Sequence, residues 1–174
     1  YLAALREGAA QDAWWWPAPG GRTLSREGVT LRILHPELPV RPPGGRASDE
    51  GPGTDPNQVS VVLLLEYGDG SILLTGDAYA HVEEGVLGEI PTPLTVLKAG
   101  HHGSRTSTSE ALVHHASPKV AVLNVGDGNR YGHPHPEVLE RLEAVGTTLF
   151  RTDRDGSFRI RVHRDGSWRF LEGW

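Results

Sequence analysis

Histidine and aspartate are the residues of this sequence that could do chemistry. Six of its nine histidines lie between His101 and His135, and the chain contains no cysteine. Without cysteine, thiolate metal sites and a cysteine nucleophile are excluded. Imidazole and carboxylate groups hold divalent metals and move protons near neutral pH. If a metal binds, the pattern therefore predicts that histidine, aspartate and water hold it.

The first motif is LLTGD at Leu73–Asp77, where a buried strand ends in glycine and then presents a carboxylate. A carboxylate at a rigid strand end is well placed to ligate or bridge metal ions. Aspartate is also a common helix cap at strand–helix junctions. This motif alone leaves both roles open for Asp77.

The second motif is LKAGHHGS at Leu97–Ser104, where two histidines follow another buried strand between glycines. Adjacent side chains on an extended backbone point in opposite directions. One of His101 and His102 is therefore expected to ligate a metal, while the other contacts substrate or donates to a second partner. A pair of purely structural histidines is the alternative.

The third motif is NRYGHPHP at Asn129–Pro136, between a strand and a helix. Prolines fix the backbone on both sides of His135. A spacing of two places the imidazoles of His133 and His135 on one side of an extended stretch. Arg130 is a candidate partner for a phosphate. The alternative is a rigid turn with exposed histidines.

Two further pairs of polar residues carry weaker signals. Asn57 and Ser60 precede and open a buried strand, and turn chemistry alone would explain them. His114 and His115 lie at the end of a short predicted helix, where histidine suits the helix dipole. We expect this histidine pair to be structural.

The elements that must position these motifs are strands that alternate with short helices. Strands are predicted over 30–34, 59–65, 72–75, 94–97, 120–125, 149–151, 157–162 and 168–171, and helices over 80–88, 107–115 and 136–145. The segment 39–56 is predicted to be a mobile loop. The polar motifs follow apolar strands, and ligand sites of layered α/β folds lie at strand ends. The expected class is mixed α/β, with sheets covered by helices.

Length and charge narrow the functional classes. A chain of 174 residues suits one domain with a real core. The formal net charge is −5, so binding to nucleic acid would need a metal or a local basic patch. No apolar run approaches the roughly 20 residues that span a bilayer, so no direct membrane insertion is expected.

Tyr1–Glu7 is typical of the end of a helix, which predicts a fragment of a longer protein.

Taken together, these motifs resemble the metallo-β-lactamase-like domain at the C-terminal end of ComEC-type competence proteins, the DNA-uptake channels of natural transformation. The resemblance extends over Val29 to Trp168. The matching segments are, in order, His35 with Pro36, Asn57, Ser60, LTGD ending at Asp77, HHGSRTS at 101–107, NRYGHPHPE at 129–137, and RTD at 151–153 with Gly156. The combination of HHGS with a later RYGHPH is specific.

The resemblance implies a metallo-β-lactamase-like four-layer αβ/βα sandwich with two stacked sheets, of which residues 1–174 are the C-terminal part. It implies zinc or manganese as cofactor, with two ions in the intact domain, and hydrolysis of phosphodiesters in the DNA strand that is not imported. It places the domain on the outer side of the cytoplasmic membrane, beside the membrane-channel portion of the parent protein. The implied roles are metal ligation by Asp77 and His101, catalysis by His102, His133 and His135, and substrate binding by Asn57, Ser60, Ser104 and Arg130.

One hallmark of the family is absent from this sequence. No His-x-His-x-Asp-His motif, which supplies most of the metal ligands, occurs in the chain. Asp77 and one histidine provide two protein ligands, below the usual three of a catalytic zinc site. The chain by itself is therefore expected to bind metal weakly and to be nearly inactive. Two alternatives are a different hydrolase of this fold, acting on small phosphodiesters or esters, and a non-catalytic domain that docks DNA or a partner.

Overall fold

The computed structural model describes residues 20–37 and 55–172. The helix end predicted at Tyr1–Glu7 lies outside these ranges. So does all of the loop predicted over 39–56 except Asp55 and Pro56.

A seven-stranded mixed sheet dominates the described residues, with its strands in sequential order from β1 to β7. β1 to β4 pair antiparallel, and β4 to β7 pair parallel. The strands are β1 Thr23–Arg26, β2 Val29–His35, β3 Val62–Tyr67, β4 Gly70–Leu74, β5 Val96–Lys98, β6 Val120–Leu123 and β7 Thr148–Arg151. β1 was not predicted because all four of its residues are exposed and carry no apolar periodicity.

Within residues 20–37 and 55–172, the strands are joined by four α-helices: α1 Ala80–Gly85, α2 Glu110–Ala116, α3 Pro136–Ala144 and α4 Thr152–Asp155. The Ser109 side chain accepts a hydrogen bond from the Leu112 amide and caps α2, with Glu110 in the first turn. The described residues also contain short 3-10 turns at Pro56–Val59, Leu87–Glu89 and Gly100–Gly103. The strand predicted over 59–65 begins later, at Val62, because Pro56–Val59 forms one of these turns.

The core lies between the sheet and the helices α1 to α3. Leu64, Leu73 and Leu97 from the central strands are fully buried together with Leu112 and Leu142 from the helices. Along β3, Val62 and Leu64 are buried while the alternate residues are only partly covered, so this strand is fully buried on one face only. The mixed α/β class is confirmed. Within the described ranges, no helix combines the length and apolarity needed to cross a membrane.

A hairpin of β8 Phe158–Val162 and β9 Trp168–Glu172 closes the described part of the chain. It packs on the last strand of the large sheet through Phe150. The Phe150 ring centroid lies 4.7 Å from that of Phe170 in a stacked arrangement and 5.5 Å from that of Phe158. Lys119 Nζ also donates to the Gly166 carbonyl at 3.0 Å. Aromatic stacking therefore fixes the hairpin to the sheet.

Phe150→Ala should detach this hairpin without unfolding the large sheet. We expect a loss of about 2–3 kcal/mol in the free energy of unfolding, less than for a fully buried phenylalanine, because the Phe150 ring is only partly buried. Amide hydrogen exchange should accelerate over residues 158–172. Leu24→Ala, at a side chain that is 49% exposed, is the control and should change the stability by less than about 0.5 kcal/mol. Unchanged exchange over the hairpin would contradict this packing.

Candidate active site

The ends of the parallel strands β4 and β5 are joined by hydrogen bonds at Gly76. Its carbonyl accepts from the His101 amide at 3.0 Å and from Lys98 Nζ at 3.1 Å. Thr75 Oγ1 donates to the Lys98 carbonyl at 3.1 Å. The aspartate motif and the histidine-pair motif therefore form one connected structure at the carboxyl edge of the sheet.

Asp77 presents its carboxylate at this edge rather than capping a helix. Helix α1 begins at Ala80 with Tyr79 as N-cap residue, and no side chain bonds to its first turn. The Asp77 amide donates to Ser60 Oγ at 3.2 Å, and its side chain is 41% exposed. Oδ1 of Asp77 lies 3.9 Å from Nε2 of His102. The capping alternative is thereby removed, and the carboxylate faces the histidine pair.

The histidine pair does not lie on extended backbone, so the extended conformation on which the prediction of its two roles was based was wrong. His101 and His102 both adopt left-handed conformations, with φ of 45° and 57°. Their ring centroids are 6.4 Å apart at an interplanar angle of 64°. Left-handed backbone costs roughly 1–2 kcal/mol for each residue that has a Cβ. Such strain persists only where surrounding contacts impose it, as at functional sites.

The hydrogen bond of His102 fixes the orientation of its ring. Nδ1 lies 2.7 Å from the Asn124 carbonyl oxygen, which can only accept, so Nδ1 carries the proton in this contact. The other ring nitrogen, Nε2, is then the atom that faces Asp77, and it offers a lone pair whenever it carries no proton. Metal-binding histidines commonly have this arrangement, with the second nitrogen bonded to a backbone carbonyl.

His101 occupies a different environment. Its Nδ1 is buried and has no hydrogen-bond partner within the described residues. Its ring lies 5.8 Å from that of His133. The resemblance implied metal ligation by His101 and catalysis by His102, whereas the geometry places His102 beside Asp77. Which of the two is the ligand stays a prediction.

The third motif contributes two histidines to the same cluster. The ring centroids of His133 and His135 are 5.1 Å apart, which confirms that they share one side. Burial lowers the pKa of His133, and the neighbouring histidines lower it further. Arg105 Nη2 lies 3.2 Å from His135 Nδ1. Because arginine only donates, Nδ1 accepts, and Nε2 of a neutral His135 carries the proton.

The four predicted substrate-binding residues have different positions. The Ser60 hydroxyl accepts a hydrogen bond from the Asp77 backbone amide. Asn57 Nδ2 donates to the Tyr79 hydroxyl at 3.3 Å. Ser104 is buried and lies with its hydroxyl 3.0 Å from Thr106 Oγ1, within its own turn. Of the four, only Arg130 is exposed, and it lies in the same motif as His133 and His135.

His114 and His115 lie apart from this cluster, as expected. Both are in the last turn of α2. His114 Nε2 is 3.6 Å from Glu110 Oε1, and His115 Nε2 is 3.1 Å from the Ile90 carbonyl oxygen.

Sequence reasoning missed a buried carboxylate behind the histidine pair. Glu83 in α1 is fully buried and accepts hydrogen bonds from the Thr108 and Ser109 amides at 2.7 and 2.8 Å. Thr108 Oγ1 in turn accepts from the Gly100 amide at 2.9 Å. A Cβ at Gly100 would lie 2.9 Å from Glu83 Oε1. Glu83 therefore supports the turn that carries His101 and His102, and only its burial pattern in the folded chain reveals it.

Three further polar side chains near the site were also missed. Tyr79 donates from its hydroxyl to Asp55 Oδ2 at 2.6 Å, and this bond lowers the pKa of Asp55 and raises that of Tyr79. Burial lowers the pKa of Lys98, while the charge of Asp77 acts in the opposite direction. The Lys98 ammonium is thus a partly buried positive group beside the candidate carboxylate.

The described residues do not complete a metal site. Within them, no group of three or more histidine, cysteine, aspartate or glutamate side chains is placed to hold an ion. Asp77 and His102 face each other across 3.9 Å, a separation too long for a direct hydrogen bond. Two ligands are below the usual three, so no catalytic step is assigned to a metal from these residues.

Comparison with known families agrees with this architecture. Residues 3–126 match the family described as the metallo-beta-lactamase superfamily. The chain belongs to this superfamily, whose members generally bind divalent metals. His133 and His135 lie beyond the matched residues.

Within this superfamily, the chain is similar to several named proteins. The chain is 34% identical over 160 residues to ComE operon protein 3 of Bacillus subtilis (strain 168), covering 91% of the chain and 19% of that protein. It is 38% identical over 140 residues to Recombination protein 2 of Haemophilus influenzae, covering 80% and 16% respectively. It is 33% identical over 153 residues to Competence protein ComA of Neisseria gonorrhoeae, covering 87% and 19%. The resemblance to competence proteins is confirmed, and the chain spans less than one fifth of the length of these relatives.

Removing the Glu83 carboxylate should destabilise the protein strongly. Glu83→Ala leaves two buried amides without acceptors and should cost about 3 kcal/mol in the free energy of unfolding. Glu84→Ala is the matched control, because the neighbouring glutamate is exposed, and it should cost less than about 0.5 kcal/mol. Urea unfolding measures both. Equal decreases in the free energy of unfolding for the two variants would contradict a stabilising role for Glu83.

The same carboxyl group should make stability depend on pH. Burial raises the pKa of Glu83 in the folded protein, so the folded state holds this proton more tightly than the unfolded chain. The resulting stabilisation is fully present below the unfolded-state pKa, about 4.3, and is lost as pH rises through the folded-state pKa. Wild type should therefore lose stability relative to Glu83→Gln from about pH 4 upwards. A difference that stays constant with pH would contradict this assignment.

Proposed function

We propose that this chain is the C-terminal part of a metal-dependent phosphodiesterase domain in a DNA-uptake protein. The domain hydrolyses the DNA strand that is not imported. It lies on the outer side of the cytoplasmic membrane, beside the membrane channel of the same protein. The competence relatives support the DNA-uptake context.

The observation that carries the proposal is the convergence of three sequence motifs at one edge of the sheet. The Asp77 carboxylate lies 3.9 Å from His102, and a row of ring contacts connects His102 and His101 with His133 and His135. An acidic group beside several imidazoles is the donor set expected for hydrolysis with proton transfer.

The site has two sides with different chemical roles, one formed by His135, Arg105 and His133 and the other by Asp77 and His102. His135, oriented by Arg105, presents an Nε2 proton that can donate to a phosphate oxygen. The guanidinium of Arg105 adds positive charge on the same side. His133 has a lowered pKa and therefore acts as a neutral hydrogen-bonding group at neutral pH. Asp77 and His102 form the opposite side, which attracts cations rather than phosphate.

We propose that Asp77 and His102 contribute part of a zinc or manganese site whose other ligands lie outside the described residues. A carboxylate oxygen and an imidazole lone pair that face each other both need a cation or proton between them. By itself this chain should then bind zinc or manganese weakly. When bound, the metal would supply Lewis-acid activation of the phosphodiester.

Asp77→Asn tests the proposal in the longest natural form of the protein. We expect loss of manganese- or zinc-dependent cleavage of linear DNA by at least about 100-fold, because the substitution removes the carboxylate charge while keeping the side-chain size. Asp69→Asn is the control. Asp69 lies in the β3–β4 turn, at the opposite end of β4 from Asp77, and its substitution should leave cleavage unchanged.

The outcomes separate the alternative functions. Retained DNA cleavage in Asp77→Asn would overturn the assigned site. Wild-type cleavage of a small phosphodiester, such as bis(4-nitrophenyl) phosphate, without cleavage of DNA would favour a hydrolase of small substrates. DNA binding without hydrolysis of either substrate would favour a docking domain.

Arg130→Ala should reduce the salt dependence of DNA binding if the exposed guanidinium contacts a phosphate. For single-stranded DNA, the slope of log affinity against log salt should fall in magnitude by about 0.7, the contribution of one phosphate contact. Arg26→Ala is the matched control, since Arg26 is exposed on the distant edge strand β1. Fluorescence anisotropy over a range of salt concentrations measures the slopes. Equal slopes in wild type and Arg130→Ala would remove Arg130 from the substrate-binding set.

A further inference from the structure

Tyr131 presents a large aromatic ring to solvent beside the candidate active site. Its exposed fraction is 73%, the highest among the exposed large apolar side chains in the described part of the chain. The proposed reaction assigns no role to this ring. An aromatic surface of this kind at the rim of a site for DNA is a potential stacking surface for a base.

The loop that carries Tyr131 is fixed by hydrogen bonds on both sides of the ring. Asn129 Nδ2 donates to the His133 carbonyl at 2.7 Å, and Asn129 Oδ1 accepts from the His133 amide at 3.0 Å. The Asn129 amide donates to the Gly126 carbonyl at 3.2 Å. Gly132, with φ of 72°, supplies the left-handed turn after the tyrosine. The exposed position of Tyr131 is therefore a property of an anchored loop.

The Tyr131 ring is the outer end of a row of rings that leads into the site. Its centroid lies 5.9 Å from that of His133, at an interplanar angle of 30°. The His133 ring in turn lies 5.8 Å from that of His101. A group stacked on Tyr131 would therefore lie next to the histidine cluster.

A cavity of about 220 Å³ opens between this loop and the end of β6. It is lined by His102, Asn124, Val125, Gly126, Asn129, Tyr131 and His133. Its volume is below the roughly 300–1,000 Å³ of pockets that enclose drug-sized ligands, so it suits a single ring system.

The chemistry of the lining selects the kind of ring. Among its lining residues there is no aspartate, glutamate, lysine or arginine, so the cavity carries no fixed charge for an anion or a cation. Tyr131 offers a π face, and the carboxamide of Asn124 offers both a donor and an acceptor. These features match a neutral, planar, hydrogen-bonding heterocycle.

We propose that this cavity is a nucleobase subsite for single-stranded DNA, with Tyr131 as the stacking surface. The subsite rests on the proposed function, and it specifies which part of the substrate is held next to the reacting phosphate. Because every base has a π face, stacking on Tyr131 tolerates any sequence. The subsite thereby favours a strand with unpaired bases over a duplex, whose bases are stacked on one another.

The experiment compares two labelled oligonucleotides of equal length and charge: eight thymidine residues, and eight abasic tetrahydrofuran residues. Fluorescence anisotropy at low ionic strength gives the dissociation constants for this chain and its variants. Wild type should bind the thymidine oligomer more tightly. Tyr131→Ala should weaken binding of the thymidine oligomer by about tenfold, the usual effect of losing one stacked base, and leave the abasic oligomer unchanged.

Two further variants complete the design. Tyr131→Phe keeps the ring and should bind within about twofold of wild type. Leu24→Ala removes an exposed apolar side chain from β1, far from the cavity, and should have no effect. Equal affinity of wild type for the two oligomers, or equal weakening of both by Tyr131→Ala, would overturn the subsite while leaving the proposed function standing. Failure of wild type to bind either oligomer would likewise overturn the subsite, whereas the proposed function is tested separately by DNA cleavage in Asp77→Asn.

Discussion

The backbone carbonyl of Gly76 is the contact on which the candidate site depends most. It accepts from the His101 amide and from the Lys98 ammonium, and so joins the turns that follow β4 and β5. Gly76 has φ of 56°, and a Cβ there would lie 3.2 Å from the Val61 carbonyl oxygen. A side chain at this position would therefore be strained and crowded. The separation of Asp77 from His102 follows directly from this junction.

The left-handed backbone of the histidine pair is held in place by hydrogen bonds that begin at the buried Glu83 carboxylate. Two consecutive left-handed residues that have side chains cost roughly 2–4 kcal/mol together. Glu83 fixes the Thr108 and Ser109 amides, and Thr108 fixes the Gly100 amide. This chain of contacts extends from a buried carboxylate to the residue before His101. Burial of a charged group is itself unfavourable, and the two amide hydrogen bonds that Glu83 accepts offset this cost, so the glutamate stabilises the turn that positions the histidines.

Much of the fold could be predicted from the sequence because its central strands are short apolar runs followed by polar motifs. The convergence of Asp77 with the histidines follows from parallel strands ending at one edge. The orientation of His101 and His102 could not be predicted, since alternation along a strand gives no signal for a left-handed turn. β1 lacks an apolar face, and Glu83 looks like any surface glutamate of a short helix. Glu83 stabilises the histidine turn by accepting hydrogen bonds from backbone amides. Every residue except proline has such an amide, so this role leaves no recognisable pattern in the sequence.

The arrangement of charge bears on how an acidic chain could bind the phosphodiester of the proposed function. The protein carries a net charge of −5, and the edge beside Asp77 repels phosphate unless a cation neutralises it. Arg105, in contact with His135, places positive charge on the other side of the histidine cluster. A phosphate between these sides is attracted by the guanidinium and tolerated by the carboxylate only when a cation is present. The proposed function therefore implies that cation binding at the Asp77–His102 pair and binding of an anionic substrate are coupled, and that each strengthens the other.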